Sequence, residues 1–268
     1  MGAVDRPKYG RQKGSTINGE KTSGSQREIF MEPARDLSAE RNGQPGRVGL
    51  LLSGGLDSSI LLGYLLGQGY HVRPIYVRCG LVWESAELAA VDRLLRAMEQ
   101  PRLEPLVVLD FPVADVYGSH WSITGENIPG EDSPPEAVFL PGRNACLLLK
   151  AGVWCLLHGI SALALGILGT NPFADARPEF LTKIEEVLQS SMGYPVRILT
   201  PFAKMDKKSV MNLGKGLPLE LSFSCIAPRG GLHCGCCNKC AERREAFALA
   251  ALPDPTPYAP SPTPQVLP

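Results

Sequence analysis

The sequence predicts a doubly wound α/β domain with a mostly parallel sheet, followed by a cysteine-rich C-terminal segment. Runs rich in Leu, Val and Ile alternate with longer helical patterns from residue 48 to residue 212, and this alternation is typical of βαβ units with right-handed crossovers. A glycine-rich turn, SGGLDSS, separates the first run from the first helix. Five of the eight cysteines lie between Cys225 and Cys240, which sets the C-terminal segment apart.

The alternating pattern yields five strands and five helices. The predicted strands span residues 48–52, 72–77, 106–109, 163–168 and 196–199. The predicted helices span residues 58–68, 84–98, 143–157, 178–192 and 207–212. Strands that alternate with helices of this length indicate a parallel sheet covered on both faces.

The two ends of the chain differ in composition from its centre. Residues 1–46 are polar and charged, with almost no periodic apolar positions, so we expect a flexible N-terminal arm. Residues 47–222 are predicted to form the α/β domain, and residues 223–250 a metal-binding region packed on it. Residues 251–268 are predicted to be a disordered tail, because seven prolines in the last sixteen residues favour an extended polyproline conformation.

Charge and hydropathy narrow the function classes. Lys plus Arg equals Asp plus Glu at 27 each, so no strong global field would draw the chain to nucleic acid or to an anionic membrane. The most apolar stretch, residues 153–168, is too short and too interrupted to cross a bilayer. The first thirty residues lack the apolar core of a secretory signal. We therefore expect a cytoplasmic protein with neither a membrane nor a direct nucleic-acid partner.

The turn SGGLDSS, residues 53–59, has the features of a phosphate cradle. Gly54 and Gly55 would let the backbone turn with positive φ and would leave room for a bulky anion. The serines add hydroxyl groups near the free N–H groups of the first helical turn, where the helix dipole favours phosphate oxygens. The turn has neither the lysine of a Walker A loop nor the G-x-G-x-x-G spacing of dinucleotide-binding folds.

Two further features point to the same region. Asp57 would repel a bare phosphate, so its position favours either a Mg²⁺ ion that bridges it to phosphate or a simple helix cap. The segment 111–140 is too long for a simple connection. It follows the C-terminal end of the third predicted strand, which is the sheet edge where such folds bind ligands.

The C-terminal cysteines have the spacing of a metal site. Cys234, Cys237 and Cys240 are each separated by two residues, and eight residues separate Cys225 from Cys234. Four thiolates so spaced can hold one tetrahedral Zn²⁺, and a site with four protein ligands is structural rather than catalytic. An iron–sulfur cluster is the alternative, and His233 is an alternative ligand to one of the thiolates.

These motifs together resemble a known family. The S-G-G-x-D-S spacing resembles the PP-loop of ATP pyrophosphatases, which split ATP between its α and β phosphates and leave AMP on an oxygen of the substrate. With the C-x8-CGxCxxC pattern at the other end, the chain resembles the 7-cyano-7-deazaguanine synthase family of queuosine and archaeosine biosynthesis. Three intervening segments match as well: LPGRN at 140–144, DARPEF at 175–180 and TPFAKMDKKSVMNLG at 200–214. The resemblance spans residues 47–249.

The resemblance implies a reaction and its ligands. ATP would adenylate the carboxylate of 7-carboxy-7-deazaguanine, and ammonia would displace AMP to give the amide. A second ATP would activate the amide oxygen, so that loss of AMP leaves a nitrile. The ATP phosphates would be held, with Mg²⁺, by Ser53, Gly54, Gly55, Leu56, Asp57, Ser58 and Ser59. Zinc would be held by Cys225, Cys234, Cys237 and Cys240. A homodimer is the implied oligomeric state.

The same chemistry needs fixed cations, because negative charge develops on the reacting oxygens. The predicted catalytic residues are Asp57, Arg143, Arg177 and Lys204, with Lys183 as a further candidate. Two segments depart from the family pattern. The loop GTNPFADARPEF, residues 169–180, is shorter than the family's usual asparagine-to-arginine stretch. After the second strand the family usually has aspartate-tyrosine-glycine-glutamine-arginine-histidine, whereas this chain has YVRCGLVWESAE at residues 76–87. Arg78 and Trp83 are the candidates for a related role, and a different pocket is the alternative.

Three other functions are compatible with these features. A paralogue would use the same acyl-adenylate chemistry on a different acid or amine acceptor. A tRNA-thiolating enzyme would need a basic face and a persulfide-carrying cysteine, which the balanced charge and the cysteine cluster disfavour. A domain without enzymatic activity would use the metal-binding region to recruit a partner.

Overall fold

The computed structural model describes residues 46–260, and its centre is a five-stranded parallel sheet. The strands are β1 (Arg47–Leu51), β2 (His71–Arg78), β3 (Val107–Asp110), β4 (Ala162–Ala164) and β5 (Arg197–Leu199). They lie in the order β3-β2-β1-β4-β5, and every neighbouring pair is parallel. The predicted doubly wound α/β fold is therefore confirmed.

Helices cover both faces of this sheet. The helices of the described residues are α1 (Leu56–Gly67), α2 (Glu84–Ala97), α3 (Ala114–Tyr117), α4 (Trp121–Thr124), α5 (Arg143–Leu157), α6 (Pro178–Met192), α7 (Lys207–Leu213) and α8 (Asn238–Leu249). One face is covered by α1, α7 and α8, and the other by α5 and α6.

The strands contribute to a separate hydrophobic core on each face. Leu50 of β1 packs with Ile60 and Val210 in the core beneath α1, whereas Ile75 of β2 packs with Leu148 in the core beneath α5. All five side chains are fully buried. Truncating one such side chain costs about 2–5 kcal/mol, so this frame holds the strand ends in fixed positions.

The predicted strands and helices are present within two residues of their predicted bounds, except at the end of β4. The pattern extended that strand to residue 168, but it ends at Ala164. The chain then leaves the sheet and passes close to α1, where a Cβ atom on Gly166 would lie 3.0 Å from the carbonyl carbon of Asp57. Helices α3, α4 and α8 were not predicted.

The strand order creates a crevice in the sheet. The chain builds outwards from β1 through β2 to β3, and then crosses to the other side to form β4 and β5. The segments that follow β1 and β4 therefore leave in opposite directions, and ligands bind at such a switch point in open α/β sheets.

The described part of the C-terminal tail packs against the domain. Arg243 of α8 is 1% exposed and donates from Nε to the hydroxyl oxygen of Thr256 at 2.6 Å. The disordered tail predicted from residue 251 is therefore not observed over residues 251–260, because a buried guanidinium group binds it. The rest of that tail, residues 261–268, and the predicted arm up to residue 45 lie outside the described residues.

Two further predictions from the sequence concern membrane-spanning segments and the domain boundary. Among the residues that the structure describes, no helix has both the length and the hydropathy needed to cross a membrane. The boundary between the α/β domain and the metal-binding region, placed after residue 222, stays a prediction.

Candidate active site

A cleft of about 340 Å³ opens at the crevice, at the C-terminal ends of β1, β2 and β4. Its lining includes residues of the glycine turn after β1, the end of β2, the start of α5 and the N-terminal half of α8. The segment 111–140, which we expected at this edge, contributes Trp121, Val138 and Leu140. Apolar walls with a few polar groups are typical of small-molecule sites.

The turn after β1 has the backbone geometry of an anion site. Gly54 has a φ of +79°, and a Cβ atom there would lie 2.7 Å from Cγ2 of Val91, so only glycine fits. Gly55 is the N-cap of α1 and no side chain caps this helix, which leaves N–H groups of the first turn without such a partner. The hydroxyl oxygens of Ser53 and Ser58 lie 3.2 Å apart beside this turn. The helix dipole adds positive potential for an anion here.

Asp57, in the first turn of α1, forms an ion pair with the first residue of α7. The Nζ atom of Lys207 donates to both carboxylate oxygens of Asp57, at 2.9 and 2.8 Å. Burial raises the pKa of Asp57, while the charge of Lys207 lowers it. Lys207 therefore compensates a carboxylate that would otherwise repel phosphate.

A second pair extends this contact into a network. Nζ of Lys239 lies 2.6 Å from Oε2 of Glu242, and Nζ of Lys207 lies 3.9 Å from Oε1 of Glu242. Burial alone would raise the pKa of Glu242, but the two lysines bring it below its ordinary value. Residues 53–59 together with Lys207, Lys239 and Glu242 are called the loop side of the cleft below.

Arg143 begins α5 and has an unsatisfied hydrogen-bond donor. Asp175 fixes the start of this helix, because its Oδ2 accepts from the N–H of Asn144 at 3.3 Å and its carbonyl accepts from the Asn144 amide at 3.2 Å. The Nε atom of Arg143 is buried and has no hydrogen-bond partner among the described residues. A guanidinium group in this position fits a carboxylate or phosphate ligand.

A further set of lining residues comes from β2, from the start of α2 and from α4. The indole rings of Trp83 and Trp121 stack with centroids 5.7 Å apart and an interplanar angle of 20°. Tyr76 donates its hydroxyl to Oε2 of Glu87 at 2.6 Å. Glu87 is 6% exposed, and all four residues line the cleft. They are called the tryptophan side below.

The two sides are electrostatically distinct. Burial raises the pKa of Glu87 to about 7, against the lowering influence of Arg143 and of the Tyr76 hydroxyl. Lys207 and its neighbours on the loop side shift the pKa of Asp57 and have no resolved influence on Glu87. An acid that titrates near neutrality in a cleft is a candidate functional group.

The four predicted metal ligands converge. The Sγ atoms of Cys225, Cys234, Cys237 and Cys240 all lie within 4.8 Å of one another, and all four residues are buried. The pairs Cys225–Cys237 and Cys234–Cys240 have sulfur separations of 3.8 and 3.9 Å. Four sulfurs at about 2.3 Å from a tetrahedral Zn²⁺ would lie about 3.8 Å apart. The cluster therefore fits a metal such as zinc.

The segment before and after Cys225 connects this cluster to the cleft. The N–H of Phe223 donates to the carbonyl of Gly54 at 2.6 Å. Ser224 lines the cleft, and its hydroxyl oxygen is buried without a partner among the described residues. The N–H of Ser224 donates to Nε2 of His233 at 3.2 Å. Burial lowers the pKa of His233 to about 4. The four converging residues are all cysteines, so His233 is not one of them.

Most of the predicted phosphate-binding residues line the cleft. Those that do are Ser53, Gly55, Leu56, Asp57 and Ser58. Gly54 and Ser59 lie behind them, where the Ser59 hydroxyl donates to the Gly54 carbonyl at 3.3 Å. Arg143 also lines the cleft. The role of residues 53–59 in binding phosphate stays a prediction.

The predicted cations from the later segments do not reach the cleft. Arg177 and Lys204 are exposed and are not among the lining residues, and the same holds for Lys183. Lys207, three residues after Lys204, lines the cleft because it starts α7 beside α1. The sequence did contain a signal for Lys207, because a helix was predicted to begin at this lysine.

Residues 76–87, which differ from the family pattern, supply cleft residues that the sequence only partly indicated. Trp83, one of the two candidates, lines the cleft. Arg78, the other, pairs with Asp110 at 2.6 Å on the exposed edge of the sheet. Tyr76 and Glu87 were missed, since neither residue belongs to a contiguous motif.

Comparisons with known proteins agree with this architecture. The family model described as queuosine biosynthesis protein QueC matches residues 47–251. The 7-cyano-7-deazaguanine synthase of Methanothrix thermoacetophila is 31% identical over 230 residues, which cover 80% of this chain and 99% of that protein. The 7-cyano-7-deazaguanine synthase 1 of Desulfitobacterium hafniense is 32% identical over 208 residues, which cover 76% of this chain and 92% of that protein.

Among solved structures, a predicted subunit of tRNA methyltransferase from Methanocaldococcus jannaschii is similar at a TM-score of 0.42 and 18% identity, over 62% of this chain and 73% of that chain. The family match over most of the chain and the relatives above 30% identity are sufficient by themselves. The chain belongs to the family of the queuosine biosynthesis protein QueC.

Proposed function

We propose that this protein is an ATP-dependent ligase that converts 7-carboxy-7-deazaguanine and ammonia into 7-cyano-7-deazaguanine. The observation that carries the proposal is one cleft in which the glycine turn, Asp57 and Lys207 lie together with the unpartnered guanidinium nitrogen of Arg143. The family membership and the names of its relatives support the same reaction.

The reaction has two activation steps at one carbon. A carboxylate oxygen of the acid attacks the α-phosphorus of ATP, and pyrophosphate leaves. Ammonia then attacks the acyl carbon, so that AMP departs with its oxygen, a proton is released and the amide remains. The amide oxygen attacks a second ATP with loss of pyrophosphate. Departure of AMP and release of the two amide protons leave the nitrile, so each nitrile consumes two ATP molecules.

In this proposal the loop side binds the triphosphate. The N–H groups of the first turn of α1 and the hydroxyls of Ser53 and Ser58 contact phosphate oxygens. When ATP binds, Lys207 and Lys239 would direct part of their hydrogen bonding from Asp57 and Glu242 to phosphate oxygens. Asp57 would hold Mg²⁺, which would supply charge neutralisation at the phosphates.

Arg143 is the proposed anchor for the acid. Its buried Nε atom has no protein partner among the described residues, and a bidentate contact with a carboxylate would satisfy it. The same guanidinium group would stabilise the negative charge that develops when ammonia attacks the acyl carbon. Fixed donors of this kind contribute most in a site that excludes water.

The proposed ion in the cysteine cluster is Zn²⁺ in a structural role, since all four coordination positions are taken by thiolates. It would hold the segment around Cys225, and through Phe223 it would support the glycine turn. No chemical step is assigned to it.

A product assay tests the proposal. The full-length protein is incubated with ATP, Mg²⁺, ammonium and 7-carboxy-7-deazaguanine, and the products are identified by mass spectrometry beside Asp57→Ala. We expect nitrile and AMP from the native protein and a loss of at least 100-fold in the variant. Asp92→Asn is the matched control, because Asp92 is an exposed residue of α2 that, within residues 46–260, pairs only with Arg96.

Two results would contradict the proposal in different ways. Absence of AMP, amide and nitrile would reject the adenylation chemistry altogether. Formation of AMP with a product heavier than the acid, without nitrile, would retain that chemistry and identify a different amine acceptor.

A further inference from the structure

The tryptophan side contains a buried acid that the proposed reaction does not use. One carboxylate oxygen of Glu87, Oε2, accepts from the hydroxyl of Tyr76 at 2.6 Å. The other, Oε1, has no hydrogen-bond partner among the described residues, and it is not one of the fully enclosed polar atoms. Because Glu87 lines the cleft, this oxygen is open to a ligand.

Glu87 also lacks a cationic partner. It forms no salt bridge with any residue in the described part of the chain, and Arg143 acts on it without a direct hydrogen bond. Glu84, the other acid of this turn, accepts from the N–H groups of Cys79 and Gly80. A buried carboxylate without such partners costs folding free energy. Donors from a ligand would complete the hydrogen bonding of Glu87.

The stacked pair Trp83 and Trp121 lines the cleft together with Glu87. The ring centroids of Trp83 and Trp121 lie 5.7 Å apart. Insertion of a heterocycle between them would need about 7 Å, because stacked rings approach to about 3.5 Å. A planar ligand would therefore lie against the pair with its edge free to reach Glu87.

We propose that Glu87 determines substrate specificity by accepting hydrogen bonds from the ring N–H and the exocyclic amino group of a guanine-type heterocycle whose face lies against Trp83. This inference rests on the proposed function, because it assigns the deazaguanine ring of that substrate to the tryptophan side. Tyr76 orients the carboxylate, and Arg143 remains available for the carboxylate of the acid.

The hydrogen-bond donors of a guanine-type ring are complementary to the acceptors of the Glu87 carboxylate. A guanine-type edge presents two adjacent N–H donors, and an ionised carboxylate presents two adjacent acceptors. An adenine-type edge would place an acceptor nitrogen against the carboxylate. A ligand without the exocyclic amino group would leave one oxygen of Glu87 without a partner, and sites built to bond such a group discriminate strongly against its absence.

Equilibrium binding of two probes tests this inference without turnover. The probes are 7-carboxy-7-deazaguanine and its analogue without the exocyclic amino group, each titrated into the full-length protein. We expect the native protein to bind the parent acid about 10-fold to 100-fold more tightly than the analogue, as for hydrogen bonds to a charged group. Glu87→Gln should weaken binding of the parent acid by a similar factor and leave binding of the analogue nearly unchanged.

The controls separate recognition from folding. Gln preserves the volume of Glu87 and an acceptor for Tyr76. Asp92→Asn, on the exposed side of the same helix, should leave both dissociation constants unchanged. Tyr76→Phe keeps the carboxylate and removes its orienting donor, so it should lower the affinity for the parent acid less than Glu87→Gln does.

Each outcome has a defined meaning. Equal binding of both probes by the native protein, or discrimination that persists in Glu87→Gln, would overturn the inference. No binding of either probe would overturn it together with the proposed function. Discrimination by a native protein that forms no nitrile would support the inference and reject the proposed function, so the two failures are distinguishable.

Discussion

The loop side and the tryptophan side of the cleft are built in different ways. The loop side is centred on seven contiguous residues, 53–59, whose backbone supplies much of the binding surface. The tryptophan side draws single side chains from β2, from α2 with its N-cap Trp83, and from α4. A contiguous loop with fixed backbone geometry suits a cofactor that many enzymes share. Scattered side chains suit one substrate and can change independently.

Asp57→Asn, on the loop side, should have the largest effect and tests whether the two sides act independently. We expect kcat to fall about 100-fold to 1,000-fold, because the variant loses the charge that pairs with Lys207 and that is proposed to hold Mg²⁺. The dissociation constant of the parent acid should change less than about threefold. Steady-state kinetics with ATP varied, combined with acid titrations, measure both quantities. A variant that loses acid affinity as severely as kcat would show that the two sides are not separable.

Glu87→Gln is the converse experiment and should have the next largest effect. The KM for the acid should rise about 10-fold to 100-fold, while the KM for ATP stays within about threefold. The reason is that, among the described residues, none of the groups that hydrogen-bond the Glu87 carboxyl or shift its pKa belongs to the loop side. Rate measurements at saturating concentrations of each substrate in turn separate the two constants. An increase confined to the KM for ATP would contradict the division of the cleft.

Loss of the proposed metal should weaken ATP binding by the loop side. Cys225→Ser removes one of the four converging thiols, and Phe223, two residues away, bonds to Gly54 of the glycine turn. We expect metal content to fall below half and the dissociation constant of ATP to rise about 10-fold. Elemental analysis and nucleotide titration measure these quantities. Cys236→Ser, which changes an exposed cysteine outside the cluster, should leave both unchanged.

The last predicted effect concerns stability and pH rather than activity. The pKa of Glu87 is raised to about 7 in the folded protein by burial, so the native state binds a proton that the unfolded state has released. The resulting destabilisation is nearly absent below about pH 4.5 and grows as pH rises to about 7. Tyr76, Glu84 and Arg143 are the groups that act on this titration.

Glu87→Gln removes this penalty. We expect the variant to be more stable than the native protein by about 1 kcal/mol at pH 5 and by about 3 kcal/mol at pH 8. Urea denaturation at the two pH values measures the difference. A stability gain that is the same at both values would mean that the carboxylate is not the cause.

The sequence predicted elements whose signal is local. The five strands, five of the helices, the glycine turn and the four cysteines all depend on short contiguous patterns, and the structure contains each of them. The elements that it missed depend on distant partners. Arg243 binds Thr256 and so orders the start of the predicted tail, and no local pattern indicates that contact.

The same distinction applies to the cleft. Asp57 was predicted because it belongs to the glycine turn, but its partner Lys207 lies 150 residues later. The resemblance of residues 200–214 to the family led to Lys204, whereas the lysine that pairs with Asp57 is Lys207. That pairing depends on the packing of α7 against α1, which no local pattern indicates. Glu87 and Tyr76 form a site only after β2 and α2 pack together.

The central claim is that one cleft activates the same carbon twice with ATP and releases a nitrile. The most direct test is the ratio of AMP to nitrile formed by the full-length protein from 7-carboxy-7-deazaguanine, ammonium and ATP, with both products quantified by mass spectrometry. The account predicts two molecules of AMP for each nitrile, with the amide as a transient species. A ratio of one, with the amide or a conjugate as the final product, would contradict it.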